Sequence, residues 1–270
     1  MNNIDTKELA KEIRKLTLQI VHNANVSHIG GALSMIDILA VLYCKILNID
    51  PLDYENSNRD RFLLSKGHAC SSLYATLALR GFFPIIDLDS FAKNGSIFLA
   101  HTSHLIPGVE ISAGSLGHTL SVSCGLALAA KRKNANWKTY CLISDGELDE
   151  GSNWETILFS PQHKLDNLIL VVDYNKIQSL GSVEEVIDLN PLKDKFIAFN
   201  WEVFEVNGHD HKELEDIFLK IQNLNNKPKV IIANTIKGKG VSFMENKLLW
   251  HYKWVGEKEL NEAINEINNT

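Results

Sequence analysis

The most constraining feature of the chain is a pair of β-type apolar runs, TYCLISDG (139–146) and NLILVVDYN (167–175), separated by one helical stretch, ELDEGSNWETILFSPQHK. Strand, helix and strand at this spacing make a βαβ unit, which implies a parallel sheet and a right-handed crossover. The helical stretch is expected to break near Pro161. WEVFEVNG (201–208), a helix from about 212 to 223, and PKVIIANT (228–235) repeat the theme. The expected fold class is therefore α/β: a doubly wound, mostly parallel sheet with helices on both faces.

The remaining chain fits around that sheet. Leu9, Ile13, Leu16 and Ile20 recur at helical spacing over 5–23, with Asp5 and Thr6 as candidate caps. A second helix is expected after Ser34, through Met35, Ile36, Leu39, Leu42 and Ile46. Residues 91–116 are irregular and too long for an ordinary connection; Phe98, Leu99, Ile106 and Val109 favour an ordered, functional loop. LGHTLSVSCGLALAAK (116–131) has no charged face before Lys131, so this helix is expected to be buried, at a subunit contact. No repeat or Pro/Ser-rich linker divides the chain, so residues 1–270 read as one domain.

Composition excludes several classes. The net charge of −6 argues against a general nucleic-acid binder. No apolar run reaches transmembrane length, and the start has no apolar signal core, so no membrane role and a cytoplasmic location are expected. The four cysteines lack CxxC spacing and read as buried free thiols.

Ligands of open parallel sheets bind at the carboxyl ends of the strands. Asp145 and Asn175 stand at those ends on two successive strands, and both offer oxygen to a hard divalent cation. Alone, Asp-Gly reads as a turn and Asn as a strand terminator. Together, one carboxylate, one amide oxygen and a backbone carbonyl, that of Ile177, would leave room around Mg²⁺ for diphosphate oxygens and water. Gly146 lets the backbone approach a phosphate closely.

Ser144-Asp145-Gly146 followed by Tyr174-Asn175 resembles the GDG…N motif of thiamine diphosphate enzymes. Further pieces, SHIGGALS (27–34), LSKGHA (64–69), PGVEISAGSLGH (107–118), SDGELDEGSNWE (144–155), DYNKIQSLG (173–181) and KGKGVSF…WH (237–251), are similar to the N-terminal half of a transketolase, and in particular to stand-alone N-terminal subunits. The resemblance implies the thiamine diphosphate-binding fold, with thiamine diphosphate and Mg²⁺ (or another divalent cation such as Ca²⁺) as cofactors, and Asp145, Asn175 and Ile177 as metal ligands.

The resemblance also distributes roles. His28, His101 and His251 would line the substrate channel, and His68 and His251 would contact cofactor phosphate. Lys237 would lie close to the diphosphate, although it also reads as a solvated loop lysine. Gly114-Ser115-Leu116 would flank the aminopyrimidine. Glu150 and Glu155 would face a two-fold axis and link paired cofactors, although Ser152-x-x-Glu155 also reads as a capping box. His22, His163, His209 and His211 match no catalytic position, and His104 and His118 receive no role.

The resemblance further implies a missing half. In transketolases the glutamate that activates the pyrimidine and most sugar-phosphate ligands lie in the C-terminal half, and this chain shows no second βαβ series after the polar helix EKELNEAINEINN. A separate C-terminal subunit, carrying the pyrimidine-binding and C-terminal domains in an α2β2 heterotetramer, is therefore expected. The implied reaction is transfer of a two-carbon ketol unit from a ketose to an aldose, with sugars or sugar phosphates as substrates. Rival readings are a 2-oxo acid decarboxylating or deoxyxylulose-phosphate-synthase-like subunit, and a non-catalytic module that kept the fold. Departures from the family pattern are Ser27 and Ser144 where Gly is usual, Thr119 after Gly117-His118, and Tyr252-Lys253-Trp254-Val255 after His251.

Overall fold

In the computed structural model, which describes residues 5–269, five strands form one wholly parallel sheet in the spatial order β1-β2-β3-β5-β4. The strands are β1 (Arg61–Leu64), β2 (Thr139–Ser144), β3 (Leu168–Tyr174), β4 (Glu202–Asn207) and β5 (Lys229–Asn234). Around them lie α1 (Thr6–Ala24), α2 (Ile29–Ser34), α3 (Ile36–Val41), α4 (Cys70–Leu79), α5 (Thr119–Arg132), α6 (Gly151–Gln162), α7 (Val183–Val186), α8 (Leu192–Ala198), α9 (His211–Ile221) and α10 (Glu257–Asn268).

Side chains on a strand alternate between the two faces, and here the alternation sorts the core into two layers. Tyr140, Leu142, Ile169, Val171, Ile231 and Ala233 pack with buried residues of α1, α3, α4 and α9. The intervening Cys141, Ile143, Leu168, Leu170, Val230 and Ile232 pack with α5, α6 and α8. Both faces are covered, as the sequence pattern requires of an α/β sheet.

Several local expectations need correction. The helix placed after Ser34 starts earlier: α2 opens at Ile29 and ends at Ser34, α3 follows, and a wide π-type turn, Leu42–Ile46, completes it. Its residues are buried almost all round, so no polar face marks where one segment yields to the next. β1 was not expected as a strand; its four residues are too few to show a period. The break expected near Pro161 is present, since α6 ends one residue later at Gln162. Ser152 and Glu155 form no capping box: Glu150 occupies the N-cap position, and the Ser152 hydroxyl donates to the Gly117 carbonyl at 2.7 Å. α5 is buried on one side, and its other side, with Val122 39% exposed, is the face left for the expected subunit contact. In the 91–116 segment Phe98 and Ile106 are buried but Leu99 is half exposed. Order there comes also from Tyr74, whose hydroxyl donates to His101 O at 2.8 Å and accepts from Ser103 N at 3.0 Å. The cysteines are all free; Cys44 is half-buried and the other three are buried.

Candidate functional site

The sheet register brings Ser144 opposite Asp173 and Tyr174 opposite Asn234, so Asp145, Asn175 and the 235–240 loop leave the sheet side by side. Asp145 is 1% exposed; its Oδ1 accepts from Gly146 N at 2.7 Å and its Oδ2 from Lys176 N at 2.5 Å. Asn175 is buried, with Oδ1 accepting from Ile177 N at 3.2 Å. Lys237, also buried, donates from Nζ to the Ile177 carbonyl at 2.9 Å and lies 3.1 Å from His251 Nδ1. The three candidate metal ligands and the candidate diphosphate lysine thus meet in one place.

The electrostatics of this cluster are unbalanced. Burial, reinforced by the nearby Asp173 carboxylate, pushes the Asp145 carboxyl up to about 6. Burial pushes the Lys237 ammonium down to about 8. A carboxylate that desolvation makes reluctant to ionise gains most from a divalent cation beside it. An aspartate, an amide oxygen and a backbone carbonyl are the oxygen donors that Mg²⁺ or Ca²⁺ prefers. Among the described residues no group of three or more His, Cys, Asp or Glu side chains could hold a metal, so further donors would come from ligand and water. Space is left for them by a cavity of about 260 Å³, into which Gly31, Gly146 and Gln178 also face. A Cβ on Gly146 would stand 3.0 Å from Gln178 Cγ and narrow it.

Four imidazoles wall the same cavity. His28 takes a left-handed conformation (φ 73°) at the N-cap of α2, and its amide donates to the His251 carbonyl at 3.1 Å. Positive φ at a non-glycine residue is a strain that clusters at functional sites. The His28 ring centroid lies 5.1 Å from His68, 5.0 Å from His251 and 6.4 Å from His101. His68 sits on the Gly67–Ala69 turn, where a Cβ on Gly67 would collide with the Ala113 carbonyl. Burial, followed by His101 and Lys237, lowers the His28 imidazole; burial, followed by Lys66, lowers His68 well below the ordinary value. His251 is lowered to about 3 by burial and then Lys237. These three rings are neutral at pH 7, able to donate and accept hydrogen bonds without carrying charge. A second cavity, of about 350 Å³, shares His28, His68 and His101 and runs on past Phe91, Tyr252 and Trp254.

The 114–117 loop forms one lip of the cavity. Gly114 and Ser115 are exposed, and Leu116 is half-buried. Gly117 (φ 84°) anchors the loop, its amide donating to Glu147 Oε1 at 2.8 Å; a Cβ there would lie 2.7 Å from Glu150 Cβ. Glu150 is exposed beside this loop, whereas Glu155 is exposed further along α6, next to Thr156 and Phe159. The two glutamates are thus not brought together with the histidines in the isolated chain.

Three buried charges beside this cavity escaped the sequence reading. Lys66 Nζ pairs with Asp173 Oδ2 and donates to Gly31 O at 2.7 Å, while Asp173 also accepts from Ser34 Oγ at 2.5 Å and from Thr235 Oγ1. Glu147 accepts from Ser65 Oγ as well as from Gly117 N. All three stand inside the quoted motifs, and an ionisable residue embedded in an apolar strand, as Asp173 is, was the one available signal. Of the histidines without an assigned role, His209 and His211 both bond to Asp37, at 2.8 and 2.9 Å. His22 bonds to Val255 O, and His104 to Ser112 Oγ. His163 stacks on Phe159.

Residues 5–267 match the family described as transketolase, thiamine diphosphate binding domain. The chain is 41% identical over 266 residues to an apulose-4-phosphate transketolase subunit of Phocaeicola vulgatus, covering 98% of this chain and 95% of that protein. It is 40% identical to the 6-deoxy-6-sulfo-D-fructose transketolase subunit SqwG of a Clostridium species, covering 98% of this chain and 96% of that one. The crystal structure of transketolase from Campylobacter jejuni superposes with a TM-score of 0.92 at 33% identity, covering 97% of this chain and 42% of the other. The chain therefore spans about two fifths of that longer transketolase and nearly the full length of the two relatives named as subunits. This chain belongs to the transketolase family and carries its thiamine diphosphate-binding domain.

Proposed function

We propose that the chain is the N-terminal subunit of a split transketolase, which transfers a two-carbon ketol unit from a ketose to an aldose with sugars or sugar phosphates as substrates. The observation that carries this reading is the convergence of Asp145, Asn175, the Ile177 carbonyl and Lys237 beside four histidine rings in one cavity. Relatives of nearly the same length that are named as transketolase subunits support a partner chain. That partner supplies the pyrimidine-binding and C-terminal domains in an α2β2 assembly. No helix among the described residues is long and apolar enough to cross a membrane. The cysteines are all free, which fits the reducing cytoplasm in which we place the assembly.

Asp145, Asn175 and the Ile177 carbonyl would hold Mg²⁺ or Ca²⁺, and Lys237, whose ammonium donates to that carbonyl at 2.9 Å, would offer its charge to the diphosphate. Gly146 would admit the phosphate close to the backbone, and His68 and His251 would donate to its oxygens. Thiamine diphosphate, when bound, would supply the nucleophilic carbon and the electron sink. His28, His101 and His251 orient sugar hydroxyls and move protons at them, and the neutrality of His28 and His251 lets either serve as donor or acceptor. Gly114, Ser115 and Leu116 flank the pyrimidine. Glu150 and Glu155, both exposed here, reach their hydrogen-bonding partners across the two-fold axis of the assembly.

The test is to purify the chain with and without the product of the neighbouring gene and assay ketose–aldose exchange. The pair is expected to turn over and the lone chain to show little activity. Robust transfer by the pure single chain, or carbon dioxide release from pyruvate by the pair, would overturn this reading.

A further inference from the structure

The 237–240 loop, which carries Lys237, is held from behind by a cluster that the proposed function does not use. Asp37 on α3 is 4% exposed, and it gathers three partners from two distant segments of the chain. Arg14 Nη2 and His209 Nδ1 bond to Asp37 Oδ2, the latter at 2.8 Å, and His211 Nε2 bonds to Oδ1 at 2.9 Å. Burial works against this charge, yet Arg14, helped by His209 and His211, holds the Asp37 carboxyl far below the usual carboxylate range.

Two of these partners continue into the loop. His209 Nε2 accepts from the Ile236 amide at 2.8 Å, one residue before Lys237. A ring nitrogen that accepts an amide proton carries none itself, so His209 is the neutral tautomer with its proton on Nδ1, donated to Asp37. Arg14 Nε donates to the Lys239 carbonyl at 3.3 Å. Gly240 (φ 91°) passes so close that a Cβ there would stand 2.9 Å from Arg14 Cδ and Nε. The loop is thus gripped at Ile236 on one side of Lys237 and at Lys239 and Gly240 on the other.

We propose that Asp37, His209 and Arg14 are positioning residues for Lys237: they set the loop that aims its ammonium at the Ile177 carbonyl and the diphosphate. Asp37 fixes the tautomer of His209, His209 fixes the Ile236 peptide, and the peptide fixes the stem of Lys237. The inference rests on the reading of the 260 Å³ cavity as the diphosphate site. Supporting partners of this kind alter affinity for the bound group about 10–100-fold when they are removed.

The experiment uses the chain together with its partner, titrating thiamine diphosphate at saturating Mg²⁺ by calorimetry, and compares His209→Asn, His209→Gln and Lys237→Met. Asn keeps a donor near the position of Nδ1 but is too short to reach the Ile236 amide; Gln reaches it. His209→Asn should weaken cofactor affinity about tenfold, with kcat at saturating cofactor within about twofold of wild type and an unchanged melting temperature without cofactor. His209→Gln should restore most of the affinity. Equal, wild-type affinity in both His209 variants while Lys237→Met binds poorly would overturn the brace and leave the site standing. Undiminished affinity in Lys237→Met, or no cofactor binding by wild type, would instead overturn the reading of the site.

Discussion

Lys66 and Asp173 form an ion pair with 1% and 0% of their side chains exposed, joining the end of β1 to β3 directly beside Asn175. Although burial works to raise it, the Asp173 carboxyl is held below its usual range by Lys66, with help from Ser34 and Thr235. Removing one member of such a pair strands a charge in the interior. Lys66→Met should destabilise the chain by about 3–5 kcal/mol in urea unfolding, and adding Asp173→Asn should recover most of the loss. A single variant as stable as wild type would show that the pair contributes little.

Asp145 is the group on which the proposed cation site stands. Cofactor with Mg²⁺ should raise the melting temperature of the wild-type assembly, and Asp145→Ala should abolish that rise. Because a proton and a cation compete for the same carboxylate, wild-type affinity should weaken as pH falls below about 6, the value to which burial pushes this carboxyl. Unchanged affinity in Asp145→Ala by calorimetry would remove the site.

The pH dependence of folding follows from the histidines. In the folded chain His28, His68 and His251 are all held below 6.5, the last at about 3, chiefly by burial. The unfolded chain takes up protons near pH 6.5, so below that pH it binds more protons than the native state, and stability falls as pH falls. Asp145 acts in the opposite sense: raised to about 6 in the fold, it favours the native state at low pH and withdraws that favour as pH rises from about 4 to 6. Asp60, Glu147 and Asp149, also raised chiefly by burial, act with Asp145, whereas Asp37 and Asp173, held down against burial by Arg14 and Lys66, act with the histidines. The histidine contribution is isolated by comparison: on acidification from about pH 6.5 to 4, the melting temperature of the cofactor-free chain should lose less in His251→Asn than in wild type. Superimposable profiles would refute the buried neutral state of His251.

Glu155 distinguishes two roles that its sequence context left open. It is exposed and caps nothing, so Glu155→Ala should change the stability of the isolated chain by no more than about 0.5 kcal/mol. In the assembled enzyme the same change should lower activity several-fold. A loss near 1 kcal/mol in the isolated chain would point instead to a helix cap.

His251 lies between Lys237 and His28, its ring half-buried. His251→Ala should depress turnover at least tenfold while shifting the melting temperature only slightly, since the ring makes polar contacts in a cavity rather than filling the core. Early melting with full residual activity would reverse that assignment.

What the sequence made legible was local. Asp145 and Asn175 announced themselves because each ends a strand within one βαβ unit, and the two strands carry their own β-type pattern. The buried charges were illegible for the complementary reason: Lys66 and Asp173 stand 107 residues apart, Ser65 and Glu147 stand 82 apart, and His209 and Asp37 stand 172 apart. Nothing in one segment announces a partner supplied by another. The capping box at Ser152 failed because tertiary packing offered its hydroxyl the Gly117 carbonyl instead. β1 was invisible because four residues cannot display a period, and α2 was displaced because burial on all sides erases the polar face that would have marked its start.

The exposed lip at Gly114 and Ser115 has a thermodynamic consequence. A ligand held by its anionic tail in this chain, with its ring lying over an open lip, is gripped from one side. If a second chain closes over that ring, the factor by which it tightens the ligand must equal the factor by which the ligand tightens the two chains. Thiamine diphosphate would then act as a reversible rivet, and its concentration would govern how much of the assembly exists as well as how fast it works.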